Sequence, residues 1–429
     1  MKRNFFIISI LMMMITVFVI ESCKKSNPAP LDLGTLMAGT IDLNAAAAPT
    51  NVPVMPTITA TFTTEVNATT AIASNITLTE DYDAASIPLT IAAAGKVVTI
   101  TPTANLANGA LYTLAVTAGL KASNGEMLTA INRSFTTVGS FLPKGVFAYW
   151  NFDGNANDQT GVYNAAAGGV IDITYVTGRN ASSGQAASFN GTSSLIKIPN
   201  GDALDNTSDF SLSFWMKSDT TAKKHQFVLG LGAAGGFQFE WDSHNDNNTS
   251  APLENRIGWC KFTVQYSLTG GTTANEDLYF PGTAINTTKD NGGWQGSTFS
   301  KDLISNNGTG VDGLLVQKWA HVVCTYDHTT KIGTMYINGQ EMKAQDFTLY
   351  PTTHPLYNAT GLKFSASHPA NNTFVFGFIQ DNVDPFLGGI DYDYTNAAAN
   401  HFKGLLDDVA IYHSVLTPAL ITLMYNSGL

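Results

Sequence analysis

Short runs in which every second residue is bulky and apolar recur from about Ala48 to Val138, as in Val97-Val98-Thr99-Ile100 and Tyr112-Thr113-Leu114-Ala115-Val116. A period of two is the mark of a strand with one buried face, and helical spacing is absent here. The pattern predicts strands at Thr57–Thr63, Asn75–Thr79, Lys96–Pro102, Leu111–Ala118 and Asn132–Thr137, separated by turn residues. A second β-rich region runs from Val146 to Leu429. There Phe210, Leu212, Phe214 and Met216 alternate with Ser211, Ser213, Trp215 and Lys217. His328–Lys331 and Asn338-Gly339 read as hairpin turns, and Thr417 and Pro418 read as the cap and first residue of a closing helix that stops before Gly428.

The boundary between the two regions falls at Ser140–Gly145, where Pro143 and Gly145 interrupt the pattern. The organisation expected is an export signal over 1–22, a lipidated cysteine and tether over 23–47, a first sandwich over 48–138, a linker over 139–145 and a second sandwich over 146–429. The Asn-, Gly- and Thr-rich stretch near 234–314 reads as an insertion in the last of these.

At 429 residues and 44% hydrophobic content, the chain has ample material for two or three cores. Only 13% of residues are charged, and polarity comes from Thr, Asn, Ser and Gly, which suits a secreted β-protein. The net charge of −11 and the lack of a basic stripe argue against nucleic acid as a partner.

Lys2 and Arg3 precede the apolar run Phe5–Ile20, which meets Glu21-Ser22-Cys23 in the order of an export signal. Its ending resembles a bacterial lipobox, with Glu21 as the departure, and the Cys-Lys-Lys start resembles lipoproteins of Bacteroidetes-type bacteria. That resemblance implies diacylation at Cys23, a membrane tether through lipid, and a place in the cell envelope, at the outer membrane. An uncleaved N-terminal anchor is the alternative. Lipidation would leave Cys260 and Cys324 as the remaining cysteines, either bridged or buried as thiols.

Ala60-Thr-Phe62-Thr-Thr-Glu65-Val66, Val98-Thr-Ile100-Thr-Pro102, Leu106, Tyr112-Thr-Leu114 and Ser134-Phe135-Thr-Thr137 resemble the bacterial Ig-like domains of S-layer proteins, which implies a spacer. Phe147–Gly161, Lys318–Gln340 and Phe402–Leu420 resemble the opening, late-middle and closing segments of a laminin-G-like, concanavalin A-like jelly roll. The fold class expected is therefore all-β: an Ig-like sandwich followed by a jelly-roll sandwich. The resemblance implies Trp150, Trp215 and Trp319 as packing aromatics and Asp153, Asp158, Asp407 and Asp408 as carboxylates of a structural Ca²⁺ site, with turn caps as the alternative role.

Sugar sites pair a flat aromatic ring with polar side chains around the hydroxyls. Trp241, Trp259 and Trp294 are left over from packing, and Trp241 is followed by Asp242 and Asn245, so these five form the expected ligand site. Tyr266, Tyr279 and Tyr357 are further aromatic options. Glu240 and Asp242 share a strand face and suggest a glycosidic acid pair. A nucleophile elbow, a His-Glu-x-x-His motif and a phosphate loop are absent from the sequence, and His321 reads as a packed imidazole. The function expected is that of an envelope lipoprotein that binds extracellular polysaccharide without turnover, beside uptake or glycanase machinery. A protein-binding adhesin or scaffold and a glycoside hydrolase are the alternatives.

Overall fold

The computed structural model describes residues 28–180, 182–243, 258–281, 296–303, 310–365, 372–382 and 388–429. Cys23, Asn245 and Trp294 lie outside these residues. The chain divides into two compact units, Met1–Val138 and Gly139–Leu429. Among the described residues no helix is long and apolar enough to cross a membrane.

The first unit is a sandwich of a five-stranded and a four-stranded antiparallel sheet. The five strands expected from alternation are present at Ile58–Phe62, Ile76–Glu80, Val97–Pro102, Leu111–Val116 and Ile131–Thr136. Their buried positions alternate as read, with Val98 and Ile100 or Tyr112, Leu114 and Val116 inward. Four strands were not expected: Leu33–Ala38, Ile41–Asp42, Ser86–Ile87 and Leu89–Ala94. Leu33–Ala38 pairs along Ile58–Phe62 within the stretch assigned to a tether, because Leu36 and Ala38 bury their side chains in this core.

The second unit stacks a nine-stranded and an eight-stranded sheet. The first runs Thr174–Thr177, Gln185–Asn190, Lys403–Tyr412, Phe210–Ser218, Ala320–Asp327, Ile332–Ile337, Gln340–Asp346, Ser297–Ser300, and Val146–Trp150 also pairs with Lys403–Tyr412. The second runs Val170–Ile171, Leu195–Ile198, Phe374–Phe376, His225–Leu231, Phe237–Asp242, Trp259–Leu268, Thr273–Phe280, and Ala359–Leu362 also pairs with Trp259–Leu268. Phe210, Leu212, Phe214 and Met216 from one sheet and Phe237, Phe239, Trp241, Phe262 and Val264 from the other meet in one apolar core. The stretch near 234–314 supplies three adjacent strands of the second sheet.

Local signals act as read. Asn338 and Gly339 both take positive φ (54° and 73°), so the two-residue turn follows the twist of its strands. Thr417 caps the Pro418–Ser427 helix by accepting from the Leu420 N–H, with Pro418 in the first turn and Gly428 as the C-cap.

Each sheet also carries burial on its outer face. On the first, Ser213, Trp215 and His321 are covered, the His321 Nε2 lies 2.8 Å from Ser213 Oγ, and burial drives its pKa down to about 3, so it stays neutral. On the second, Phe227, Val375, Phe378, Ile379 and Ala399 form a smaller cluster with Tyr392 and Tyr394 packed against it. Cys260 and Cys324 are buried free thiols on facing sheets, pushed up by burial, with Cys260 Sγ 3.4 Å from Met335 Sδ.

Asp205 is fully buried, and burial followed by the charge of Asp202 raises its carboxyl well above the usual range. A raised folded-state pKa contributes stability that is complete below the unfolded value near 3.8 and declines as pH rises through the folded one. Asp205→Asn removes that dependence. Its melting temperature, relative to the wild type, therefore climbs between pH 5 and pH 8, and a constant difference across that range would rule the assignment out.

Candidate functional site

The outer face of the Phe237–Asp242, Trp259–Leu268 and Thr273–Phe280 strands carries the side chains that strand alternation turns away from the core. Register places Glu240 opposite Lys261, Asp242 opposite Trp259, Lys261 opposite Tyr279, and Thr263 opposite Asp277. His225 stands opposite Asp242 on the next strand.

These residues form a polar ladder across four strands. Asn400 Nδ2 lies 3.2 Å from His225 Nδ1, and His225 Nε2 lies 2.9 Å from Glu240 Oε2. Glu240 Oε1 meets Lys261 Nζ at 2.9 Å and accepts from Gln238 Nε2 at 3.0 Å. Lys261 Nζ is also 3.5 Å from Asp277 Oδ2, and Asp277 Oδ1 accepts from Thr263 Oγ1 at 2.6 Å. Burial works to raise the Glu240 carboxyl, yet the hydrogen bond from His225 and the charge of Lys261 outweigh it and hold it below the usual range. The Lys261 ammonium is raised in turn: burial opposes it, and Glu240 and Asp277 overcome that.

Beside the ladder lies an aromatic pair. Trp259 and Tyr279 are half-buried, with ring centroids 5.4 Å apart and planes at 31°, and the edge of His225 meets Trp259 at 5.2 Å. Tyr392 feels the charges of Glu240 and Lys261 and packs on Phe227, so the segment preceding the Lys403–Tyr412 strand makes a side wall. A flat, partly exposed ring pair bordered by carboxylates is suited to bind a polar molecule with one apolar face.

Trp241 does not belong to this surface. It is 0% exposed in the core between the sheets, since it shares the parity of Phe237 and Phe239, and its indole N–H has no acceptor among the described residues. Asp242 points the other way and joins Trp259 on the outer face. Tyr266 is core, against Tyr326 and Phe347. Of the further aromatic options Tyr279 joins the cluster, and His225 and Lys261, which the sequence reading did not single out, complete it; strand alternation is the signal that finds them.

The four carboxylates assigned to Ca²⁺ do not converge. Asp158 is a turn cap: its two oxygens accept from the N–H groups of Tyr149, Thr160, Val162 and Tyr163 and from Thr160 Oγ1. Burial tends to raise its carboxyl, but these hydrogen bonds, led by Thr160 and Tyr149, hold it low. Asp153 accepts from the Gln185 N–H and from Asn151 Nδ2, both at 2.7 Å. Asp407 and Asp408 grip Arg179 at 2.5 and 2.6 Å, so a guanidinium stands where a cation was expected. Ca²⁺ takes about six to eight oxygens, and donors already committed this way do not fit it. Among the described residues, the metal-type side chains that bring three ligand atoms within 4.8 Å of one another are Asp209, Asp327 and His328. Hydrogen bonds of a hairpin turn account for that cluster: Asp327 accepts from Thr329 and Thr330, and Asp209 accepts from the His328 N–H.

Family comparison agrees with this architecture. Residues 40–137 match the bacterial Ig-like domain family and residues 259–422 match the concanavalin A-like lectin/glucanases superfamily. The match to the bacterial Ig-like family thus falls in the first unit and the match to the concanavalin A-like superfamily falls in the second. No curated protein matches the chain. Among solved structures, domain 4 of AbnA, a GH43 extracellular arabinanase from Geobacillus stearothermophilus in complex with arabinotriose, is 20% identical over 66% of this chain and 98% of its own, with a TM-score of 0.36. The receptor binding domain of botulinum neurotoxin type G is 13% identical with a TM-score of 0.35, and the binding domain of Paraclostridial Mosquitocidal Protein 1 is 15% identical with a TM-score of 0.37. The chain covers 66% of itself in both cases and about half of each toxin domain, 51% and 52%.

Proposed function

We propose that the concanavalin A-like domain binds carbohydrate on the outer face of its second sheet, with a sugar ring against Trp259 and Tyr279 and its hydroxyls toward Asp242 and Asp277. The supporting observation is the half-exposed Trp259–Tyr279 pair set directly beside the His225–Glu240–Lys261–Asp277 ladder. Sugars offer an apolar C–H face and a polar rim, and this surface offers the complement of each.

Binding without turnover is the reading that the ladder favours. A glycosidic general acid needs a carboxyl held protonated by its surroundings, whereas Glu240 is kept ionised by His225 and Lys261. On this reading the chain is an envelope lipoprotein, lipidated at Cys23 and held at the outer membrane, with the Ig-like domain as spacer. It presents glycan to neighbouring uptake or glycanase machinery.

The test is affinity electrophoresis of the full chain through gels containing soluble polysaccharides. Retardation by at least one polymer is expected, and Trp259→Ala or Tyr279→Ala should each weaken it about tenfold. Unchanged retardation in both variants would remove the glycan from this face, and a chain retarded by no polymer would point instead to a protein-binding adhesin.

A further inference from the structure

We infer that the glycan held on this face is neutral, and that sugars bearing carboxylates are excluded because the ammonium at its centre is already neutralised. This rests on the carbohydrate reading given above and adds the chemical class of the ligand.

Recognition of a uronate or another acidic sugar calls for an uncommitted cation, as a charge-assisted hydrogen bond. The central cation here is Lys261, and its Nζ lies 2.9 Å from Glu240 Oε1 and 3.5 Å from Asp277 Oδ2. Its side chain is 23% exposed and that of Asp277 is 45% exposed, so the carboxylate of Asp277 is the more open of the two toward an incoming sugar. Asp242 extends the acidic edge on the same side of the sheet, opposite Trp259. At the side wall Lys223 is also occupied: its Nζ donates to the carbonyls of Ala397 and Ala399. Beyond it Lys403 pairs with Asp219 at 3.2 Å. Among the described residues, an acidic sugar stacked on Trp259 would therefore meet Asp242 and Asp277 while Lys261, Lys223 and Lys403 are each already engaged. A neutral sugar meets the same carboxylates as hydroxyl acceptors, which is how ionised Asp and Glu serve as partners for an O–H donor. The overall charge of −11 acts in the same direction at longer range.

The experiment compares two gel series, one of neutral polymers (glucans, mannans, xylans) and one of hexuronate polymers (pectate, alginate), with the wild type, Trp259→Ala and Asp277→Asn. Expected are retardation of the wild type by a neutral polymer, little change of that retardation with added salt, and no retardation by the uronates. Asp277→Asn loosens Lys261 at an exposed position and should gain uronate retardation that salt abolishes. Uronate binding by the wild type that is lost in Trp259→Ala would overturn the neutral-ligand inference and leave the carbohydrate reading standing. Absence of binding in both series would sink that reading itself. If Asp277→Asn behaved as the wild type on the uronates, the exclusion could not be ascribed to Lys261.

Discussion

Arg179→Met is expected to lower the unfolding free energy of the second domain by about 3–5 kcal/mol, the range for removing one partner of a buried ion pair. The guanidinium is only 2% exposed and is bidentate in function, reaching Asp407 at 2.5 Å, Asp408 at 2.6 Å, Ser140 Oγ at 2.9 Å and the Gly428 carbonyl at 3.1 Å, while stacking over Trp215 at 4.4 Å. Two carboxylates share this one cation. Burial and then the neighbouring Asp408 push Asp407 up to about 9 against the pull of Arg179, and Tyr149 donates its hydroxyl to Asp408. Without the guanidinium both acids lose their compensation in a site that excludes water. All six tryptophans lie in the second unit, so indole fluorescence during urea unfolding reports on that unit alone. A midpoint unchanged in Arg179→Met would contradict the account. Adding Asp408→Asn to Arg179→Met should recover part of the loss, because the carboxylate charge that raises Asp407 disappears with it.

The second large effect is expected at Trp241. Truncation to alanine in a fully buried site costs about 3–5 kcal/mol through lost transfer energy and the cavity left behind. Trp241→Phe should cost much less, since it also removes an indole N–H that is buried without an acceptor among the described residues. Trp259→Ala is the contrasting case, with weakened glycan binding and little change in urea midpoint. If Trp241→Ala instead left stability intact and abolished binding, the orientation of the strand from Phe237 to Asp242 would be wrong.

These two indoles show what the sequence disclosed and what it withheld. The period-two pattern was plain wherever one face was apolar and the other bore Ser or Thr, so five strands of the first sandwich, the Phe210–Ser218 strand and the capped helix could be read. It was obscured in 234–314 because Gln238, Glu240, Lys261, Thr263 and Asp277 fill the alternate positions, and long polar side chains made the stretch resemble a loop. Parity was nonetheless available: Trp241 falls in step with Phe237 and Phe239, and Trp259 falls out of step with Cys260 and Phe262.

The acidic pair at Asp407-Asp408 was opaque for a different reason. Successive residues of a regular strand face opposite sides, yet both carboxylates reach Arg179. Asp408 adopts a φ of 46° where the register against the Phe210–Ser218 strand shifts between Ser213 and Trp215. An irregularity of this kind re-aims a side chain. Neither that irregularity nor the distant arginine that exploits it leaves a mark in local composition.

The position of the Lys403–Tyr412 strand bears on how the domain comes into being. It is contributed late in the chain, yet it lies inside the nine-stranded sheet, hydrogen-bonded to Gln185–Asn190 on one side and to Phe210–Ser218 on the other. A ribosome that has not yet delivered Lys403 has therefore delivered a divided sheet, with two unsatisfied edges that only this strand can join. Closure over such sequence separation is slow, and the open halves are prone to pair with other chains. Folding of the second unit is thus expected to wait until synthesis has passed that strand.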